Sequence, residues 1–173
     1  AMCTRDSYCP VPLLLCKGRP WSSKPVFLAS VDPKHVHDKP AELDSRIIET
    51  AKGLAALSAG EVRLFHSSWL PPLSGIYPLV EDDALGQDQL ESLARQHGVS
   101  ETDCIWSKED VESGLGKAVE ELQASAVVMG AISRSRLDRV LIGNTAERVM
   151  DRLDCDVLVI KPAEMPPTSQ MLL

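Results

Sequence analysis

Short apolar runs alternate with amphipathic helical stretches along most of this chain, and that alternation restricts the fold more than any other feature. Pro25-Val26-Phe27-Leu28-Ala29-Ser30-Val31 is apolar over strand length and ends at Asp32-Pro33, a turn signal. Leu43, Ile47, Ile48, Ala51, Leu54 and Ala55 then recur every three or four residues, forming one face of a helix closed by Gly60. Glu61–His66 alternates as a second strand. Leu85, Leu90, Leu93 and Ala94 place a helix from Asp83 to His97, stopped by Gly98, and Cys104-Ile105-Trp106 is a third strand. Val111, Leu115, Ala118, Val119 and Leu122 mark a third helix, weakened by Gly114 and Gly116. Ala126–Met129 is fully apolar, as a central strand would be. Asn144-Thr145-Ala146-Glu147 is a capping box opening a fourth helix, and Asp156–Lys161 is the last strand before a Pro-rich tail.

Parallel strands need crossover helices, so this order predicts an α/β fold: a Rossmann-like three-layer sandwich with a five-stranded parallel sheet. At 173 residues the chain fits one domain and an appendage. Ligands of such folds sit beyond the carboxyl ends of the strands, where strand order reverses. Asp32, His66-Ser67 and the segment Gly130–Thr145 are therefore the places to examine.

Composition removes several function classes. Eighteen Lys+Arg against 25 Asp+Glu give a net charge of −7, without the cationic footprint of a nucleic-acid partner. Two Phe, three Trp and two Tyr are too few for a base-stacking platform. No apolar run approaches the ~18 residues of a membrane span. Leu13-Leu14-Leu15-Cys16 is a poor lipidation signal because bulky Leu15 stands where a small residue is wanted. The five cysteines (Cys3, Cys9, Cys16, Cys104 and Cys155) lack a CxxC pair, which suits reduced thiols in the cytoplasm. Asp32, His35, His37 and Asp38 lie close in sequence but form a Pro-flanked solvated loop more readily than a metal site.

Residues 67–81 hold Pro71, Pro72, Gly75 and Pro78 and form a long connection loaded with Trp69, Leu70, Leu73, Ile76 and Tyr77. It either caps the core or walls a ligand. A second irregularity is an echo: Cys9-Pro10-Val11 and the apolar residues up to Lys17 resemble Cys155-Asp156-Val157 and the strand up to Lys161. The two first cysteines are 146 residues apart, one domain length.

The segment from Gly130 to Thr145 carries the chemistry. A strand ends at Gly130, a loop bearing Arg134, Arg136, Asp138 and Arg139 follows, and Gly143 leads into the capped helix. Free N–H groups and the dipole at a helix start favour an anion such as phosphate. Glycines serving turns and arginines facing water would produce the same pattern.

Gly130-x2-Ser133-x9-Gly143-Asn144-Thr145, an aspartate after the first strand, and Asp156-Val157-Leu158-Val159-Ile160-Lys161-Pro162 together resemble the universal stress protein family. The Gly-Asn-Thr-Ala-Glu close and the Cys-Pro-Val and Pro-Trp signatures near the start are similar to its tandem-domain, UspE-type branch. The resemblance implies the fold of the adenine nucleotide alpha-hydrolase-like group, with residues 25–162 as one universal stress protein domain. Residues 1–24 would be the last strand and linker of a preceding domain, and 163–173 a tail. It further implies a cytoplasmic stress-response protein, paired as a homodimer through the last strand (156–161), with residues 10–17 able to take part.

Some members of the family bind ATP through a Gly-x2-Gly-x9-Gly-Ser/Thr loop, and others bind no nucleotide. Here Gly130 and Gly143 match, Ser133 replaces the second glycine, and Asn144 with Thr145 behind it stands at the Ser/Thr position. A serine forced to positive φ would cost about 1 kcal/mol, although its hydroxyl can donate to phosphate. Asp32 matches the aspartate near the adenosine, and Ser67 falls where the family offers backbone to the adenine. ATP or another adenine nucleotide is thus the expected ligand, held by Asp32, Ser67, Gly130, Ser133, Arg134, Gly143, Asn144 and Thr145. No metal is expected. No nucleophile, base or paired carboxylate can be assembled, so the expectation is a binder with at most slow ATP hydrolysis; His66 reads as a satisfied core or rim histidine. The alternatives are a nucleotide-free interaction module and a binder of a bulky apolar metabolite beneath the 67–81 segment.

Overall fold

In the computed structural model, which describes residues 12–33, 42–69, 83–130 and 144–161, the described strands join in one six-stranded sheet. The elements are β1 (Leu13–Leu15), β2 (Val26–Ser30), α1 (Glu42–Ser58), β3 (Glu61–Ser67), α2 (Asp83–Gln96), β4 (Cys104–Ser107), α3 (Val111–Leu122), β5 (Ala126–Gly130), α4 (Asn144–Arg152) and β6 (Asp156–Ile160). Strand order is β1-β6-β5-β2-β3-β4. The expected five-stranded parallel sheet is present from β6 to β4, with Ser30 beside Met129 and Ser30 beside Phe65.

Alternating residues of each strand feed two cores, one on each face. Phe27, Ala29, Leu64, Val128, Leu158 and Ile160 meet Leu43, Ile47 and Ile48 of α1 and Leu90 of α2. Leu28, Phe65, Val127, Val157 and Val159 meet Leu115 and Val119 of α3 and Val149 and Met150 of α4. Glycine decides one of these contacts. A Cβ on Gly114 would lie 2.6 Å from Ser107 Oγ and 3.0 Å from Phe65 Cζ, so the residue that weakens α3 in isolation is what lets it close on the sheet.

The sixth strand makes the sheet mixed rather than wholly parallel. β1 runs antiparallel to β6, with Leu13 opposite Val159, Leu14 opposite Leu158 and Leu15 opposite Val157. All five residues of β6 are buried, so an open edge there would present paired apolar faces and unmet backbone groups. The segment after β1 is tied down by polar contacts. Asp156, only 7% exposed, accepts the Lys17 N–H at 2.8 Å and the Trp21 Nε1–H at 2.9 Å. Lys17 Nζ donates to the Met150 carbonyl, Arg19 donates to Gln123, and Trp21 meets Phe27 edge to face with ring centroids 5.2 Å apart.

Helix ends depart from the sequence expectation in one instructive place. Ala59, at φ 51°, takes the left-handed position after α1, and the Gly60 N–H closes on the Ala55 carbonyl. Gly60 is needed for space instead: a Cβ there would stand 2.3 Å from the Pro25 carbonyl oxygen. After α2 the expectation holds, with Gly98 at φ 66°.

Candidate site at the carboxyl ends of β2 and β5

The connection leaving β2 returns as β3 on one side, while that leaving β5 returns as β6 on the other, so strand order reverses between these two neighbours. This is where an open parallel sheet receives its ligands. Asp32 lies two residues beyond β2 and Gly130 is the last residue of β5, so two of the expected site residues flank the reversal. Gly130 is not in a left-handed conformation. Its missing side chain makes room for α1, since a Cβ would come within 2.8 Å of Leu43 Cδ2 and 3.3 Å of Ile47 Cδ1.

Asp32 is held from two sides. Its backbone N–H donates to Asp44 Oδ1 at 3.2 Å, and Asp44 belongs to the first turn of α1 and is 9% exposed. Its carboxylate, 37% exposed, lies 3.8 Å from His66 Nδ1. His66 itself is buried on β3, with Nδ1 3.0 Å from the Val31 carbonyl oxygen and its ring tilted against Trp106 at 5.0 Å between centroids. His66, read from the sequence as a satisfied core or rim histidine, is buried as that reading expects, but the reading missed its place beside Asp32. Asp44 was missed altogether; its only sequence signal is an acidic residue in the first turn of a helix.

Ser67 is positioned differently. It shares the β3 face of Phe65, opposite to that of Leu64 and His66, and its hydroxyl donates to the Glu109 carbonyl at 2.6 Å. The Ser68 N–H donates to the Ser107 carbonyl at 2.9 Å. The Ser67 side chain therefore joins β3 to the connection between β4 and α3, and it is not brought to Asp32. Asn144 and Thr145 begin α4, where the capping box was expected. Ser133, Arg134 and Gly143 lie outside the described residues, as do His35, His37 and Asp38 and most of the 67–81 connection.

The remaining chemistry is quiet. Among the described residues no group of three or more His, Cys, Asp and Glu side chains is arranged to hold a metal, and no helix is long and apolar enough to cross a membrane. Burial pushes the thiols of Cys104 and Cys155 up to about 11, so neither is a thiolate nucleophile near neutral pH. A depression of about 440 Å³ opens at the amino end of β3, between Lys52, Glu61, Arg63, Gly98 and Asp103. Lys52 is held by Glu49 and the His97 carbonyl, and Arg63 by Asp103 and Glu61. That depression is at the far end of the sheet from Asp32.

A model of the universal stress protein family matches residues 35–161. The chain is similar to Universal stress protein E of Escherichia coli strain K12, at 33% identity over 174 residues, covering 89% of this chain and 52% of the relative. It is similar also to the crystal structure of a Pseudomonas aeruginosa UCBPP-PA14 protein assigned to the universal stress proteins. There identity is 28% and the TM-score 0.76, over 91% of this chain and 54% of that one. It shares its fold with a universal stress protein family protein from Arabidopsis thaliana with AMP bound, at 18% identity and TM-score 0.50, over 83% of this chain and 97% of that one. The chain spans about half the length of the curated relatives it matches.

Proposed function

Because the chain belongs to the universal stress protein family, we propose that it is a stress-response domain that binds an adenine nucleotide where strand order reverses, as a binder and not a catalyst. The observation that carries this is the placement of Asp32 and Gly130 on either side of the reversal between β2 and β5. A carboxylate there can accept from the hydroxyls of a ribose. The backbone N–H groups opening α4 at Asn144 and Thr145, with Gly143, Ser133 and Arg134 ahead of them, would take the phosphates. The AMP held by the Arabidopsis protein of the same fold supports the ligand class. Gly130 and Gly143 keep the family's loop pattern, and Ser133 is its main departure.

Mass spectrometry of small molecules released from the freshly purified protein, with calorimetric titration of AMP and ATP, tests the proposal. Binding should strengthen in Ser133→Gly and disappear in Gly143→Trp. A protein that is empty as purified, and that neither nucleotide binds or stabilises in either Ser133 form, overturns it.

A second function is favoured by β1. We propose that residues 12–24 stand where the end of a preceding domain would stand, and that the outer edge of β6 (156–161) is a pairing surface. The 146-residue offset between Cys9 and Cys155 makes Leu13 the counterpart of Val159, and Leu13 pairs with Val159 itself, as a local two-fold axis at that residue requires. Deleting residues 1–22 would open this edge to a second copy in a cytoplasmic homodimer. Sedimentation should then shift toward the dimer; an unchanged profile rejects the pairing surface.

A further inference from the structure

We propose that Ser45 carries an activated hydroxyl, with His97 as its general base and Glu49 as the positioning residue for that base, and that it takes an acyl group from a small activated ester. Ser45 and Glu49 stand one turn apart on α1, four residues from each other, and so share a face of the helix. His97 follows α2 and reaches between them. Its Nε2 is 3.2 Å from Ser45 Oγ, and its Nδ1 is 2.9 Å from Glu49 Oε1. A hydroxyl on one ring nitrogen and a carboxylate on the other is the arrangement that turns a weak nucleophile into a usable one.

The contacts decide where each proton sits. Hydrogen bonds from His97 and Lys52 hold the Glu49 carboxyl below the ordinary 4.5, so near neutral pH it is ionised and can only accept. His97 Nδ1 therefore carries a proton, and in the neutral ring Nε2 is a bare acceptor for the Ser45 O–H. Two other hydroxyls of the same helix behave differently. Thr50 donates to the Arg46 carbonyl at 2.6 Å and Ser58 to the Leu54 carbonyl at 2.7 Å, the usual bond to the carbonyl four residues back.

His97 is held in main chain and ring. The Gly98 N–H donates to the Arg95 carbonyl at 3.1 Å and the Val99 N–H to the Ala94 carbonyl at 2.9 Å, and with Gly98 left-handed these are the two bonds of a Schellman turn. Lys52 Nζ donates to the His97 carbonyl at 2.8 Å and to Glu49 Oε1 at 3.2 Å. Ser45, Glu49 and Lys52 thus bind one histidine from three successive turns of α1. Ser45 is half-buried and Glu49 exposed, so a small ester reaches the hydroxyl from solvent. Ser45 Oγ then bonds to the ester carbonyl carbon while its proton passes to His97 Nε2. The bond to the leaving alcohol breaks, and that alcohol departs with the proton. Among the described residues the contacts of Ser45 supply a base but no oxyanion donor, so one transfer per chain is expected rather than turnover.

The test exposes the whole chain, at about pH 8 and so above the ordinary histidine range, to a fluorophosphonate. The Oγ–P bond forms, the P–F bond breaks, fluoride leaves and the proton goes to Nε2. Peptide mapping should find the phosphonate on Ser45, and Ser45→Ala should lose it. The rate should fall about 100-fold in His97→Gln, the low end of what a positioned base supplies, and to an intermediate value in Glu49→Gln. Incubation with p-nitrophenyl acetate should leave an acetyl ester on the same serine. Urea unfolding of each variant separates this role from a clamp between α1 and α2, which would lose stability in His97→Gln with labelling unchanged. Labelling elsewhere, a rate unmoved by His97→Gln, a Ser45 that takes no acetyl group, or a wild-type rate no faster than that of the urea-unfolded chain overturns the proposal. The nucleotide function uses none of these residues and is untouched by either result.

Discussion

Two glycines in helices and one at a strand end carry opposite expectations although the sequence treats them alike. Gly53 of α1 and Gly116 of α3 have right-handed backbones and open space where a Cβ would stand. Alanine at either position should raise stability by about 0.5–1 kcal/mol, read from urea unfolding, by restricting the unfolded chain and improving the helix. Gly130→Ala should instead cost about 1–3 kcal/mol, because Leu43 and Ile47 are fully buried and have nowhere to withdraw. Cysteine reactivity divides along the same lines of burial. Cys16 is exposed, whereas Cys104 and Cys155 hold their protons up to about 11. Alkylation of the native protein near neutral pH, followed by peptide mapping, should therefore mark Cys16 well before the other two. Nothing in the local sequence distinguishes Gly53 from Gly114, or Cys16 from Cys155; neighbours distant in the chain make the difference.

At the scale of elements, the helix marked in the sequence by Val111, Leu115, Ala118, Val119 and Leu122 is observed from Val111 to Leu122, while its cap was not read from the sequence. Asp110 caps α3 by accepting the N–H groups of Glu112 at 3.1 Å and Ser113 at 3.0 Å. The hydrogen bonds with Ser113 pull its carboxyl below the ordinary 3.8. A depressed acid stabilises the fold above its unfolded value and stops doing so as pH falls through the lower folded value. Asp110→Ala should cost about 1 kcal/mol at neutral pH. Unfolding curves taken at decreasing pH should show that gap closing below about pH 4, where the wild-type cap becomes protonated. The strand read as Glu61–His66 is observed one residue longer, as Glu61–Ser67, and its consequence was not legible. Its two-residue period sends His66 to one face and Ser67 to the other, and only the packing reveals that the first face meets Asp32 and Trp106 while the second meets Glu109.

For the whole molecule, the closure of the sheet depends on Asp156. It is buried at the start of β6 and anchors the chain that follows β1 through Lys17 and Trp21. Asp156→Ala should cost about 2 kcal/mol by leaving both donors unmet, and trypsin should then cut after Lys17 at a rate well above that of the wild type. If that site stays protected, the pairing of β1 with β6 alone holds the segment. The sequence by itself determined the α/β class, the succession along the chain of the five parallel strands and their crossover helices, and the strand end at Gly130 and helix start at Asn144. Periodicity, caps and turn residues are local, and a chain of this alternation has few ways to wind. It also marked Asp32, since an aspartate just beyond the carboxyl end of a strand is positioned by the backbone alone. Only the tertiary structure decided that Leu13–Leu15 of the echo runs antiparallel on β6 with Leu13 opposite Val159, that Gly130 serves the packing of α1, and that His66 and Asp44 converge on Asp32. Those outcomes depend on which distant surfaces meet, and contacts between residues far apart in the chain leave no periodic trace along it.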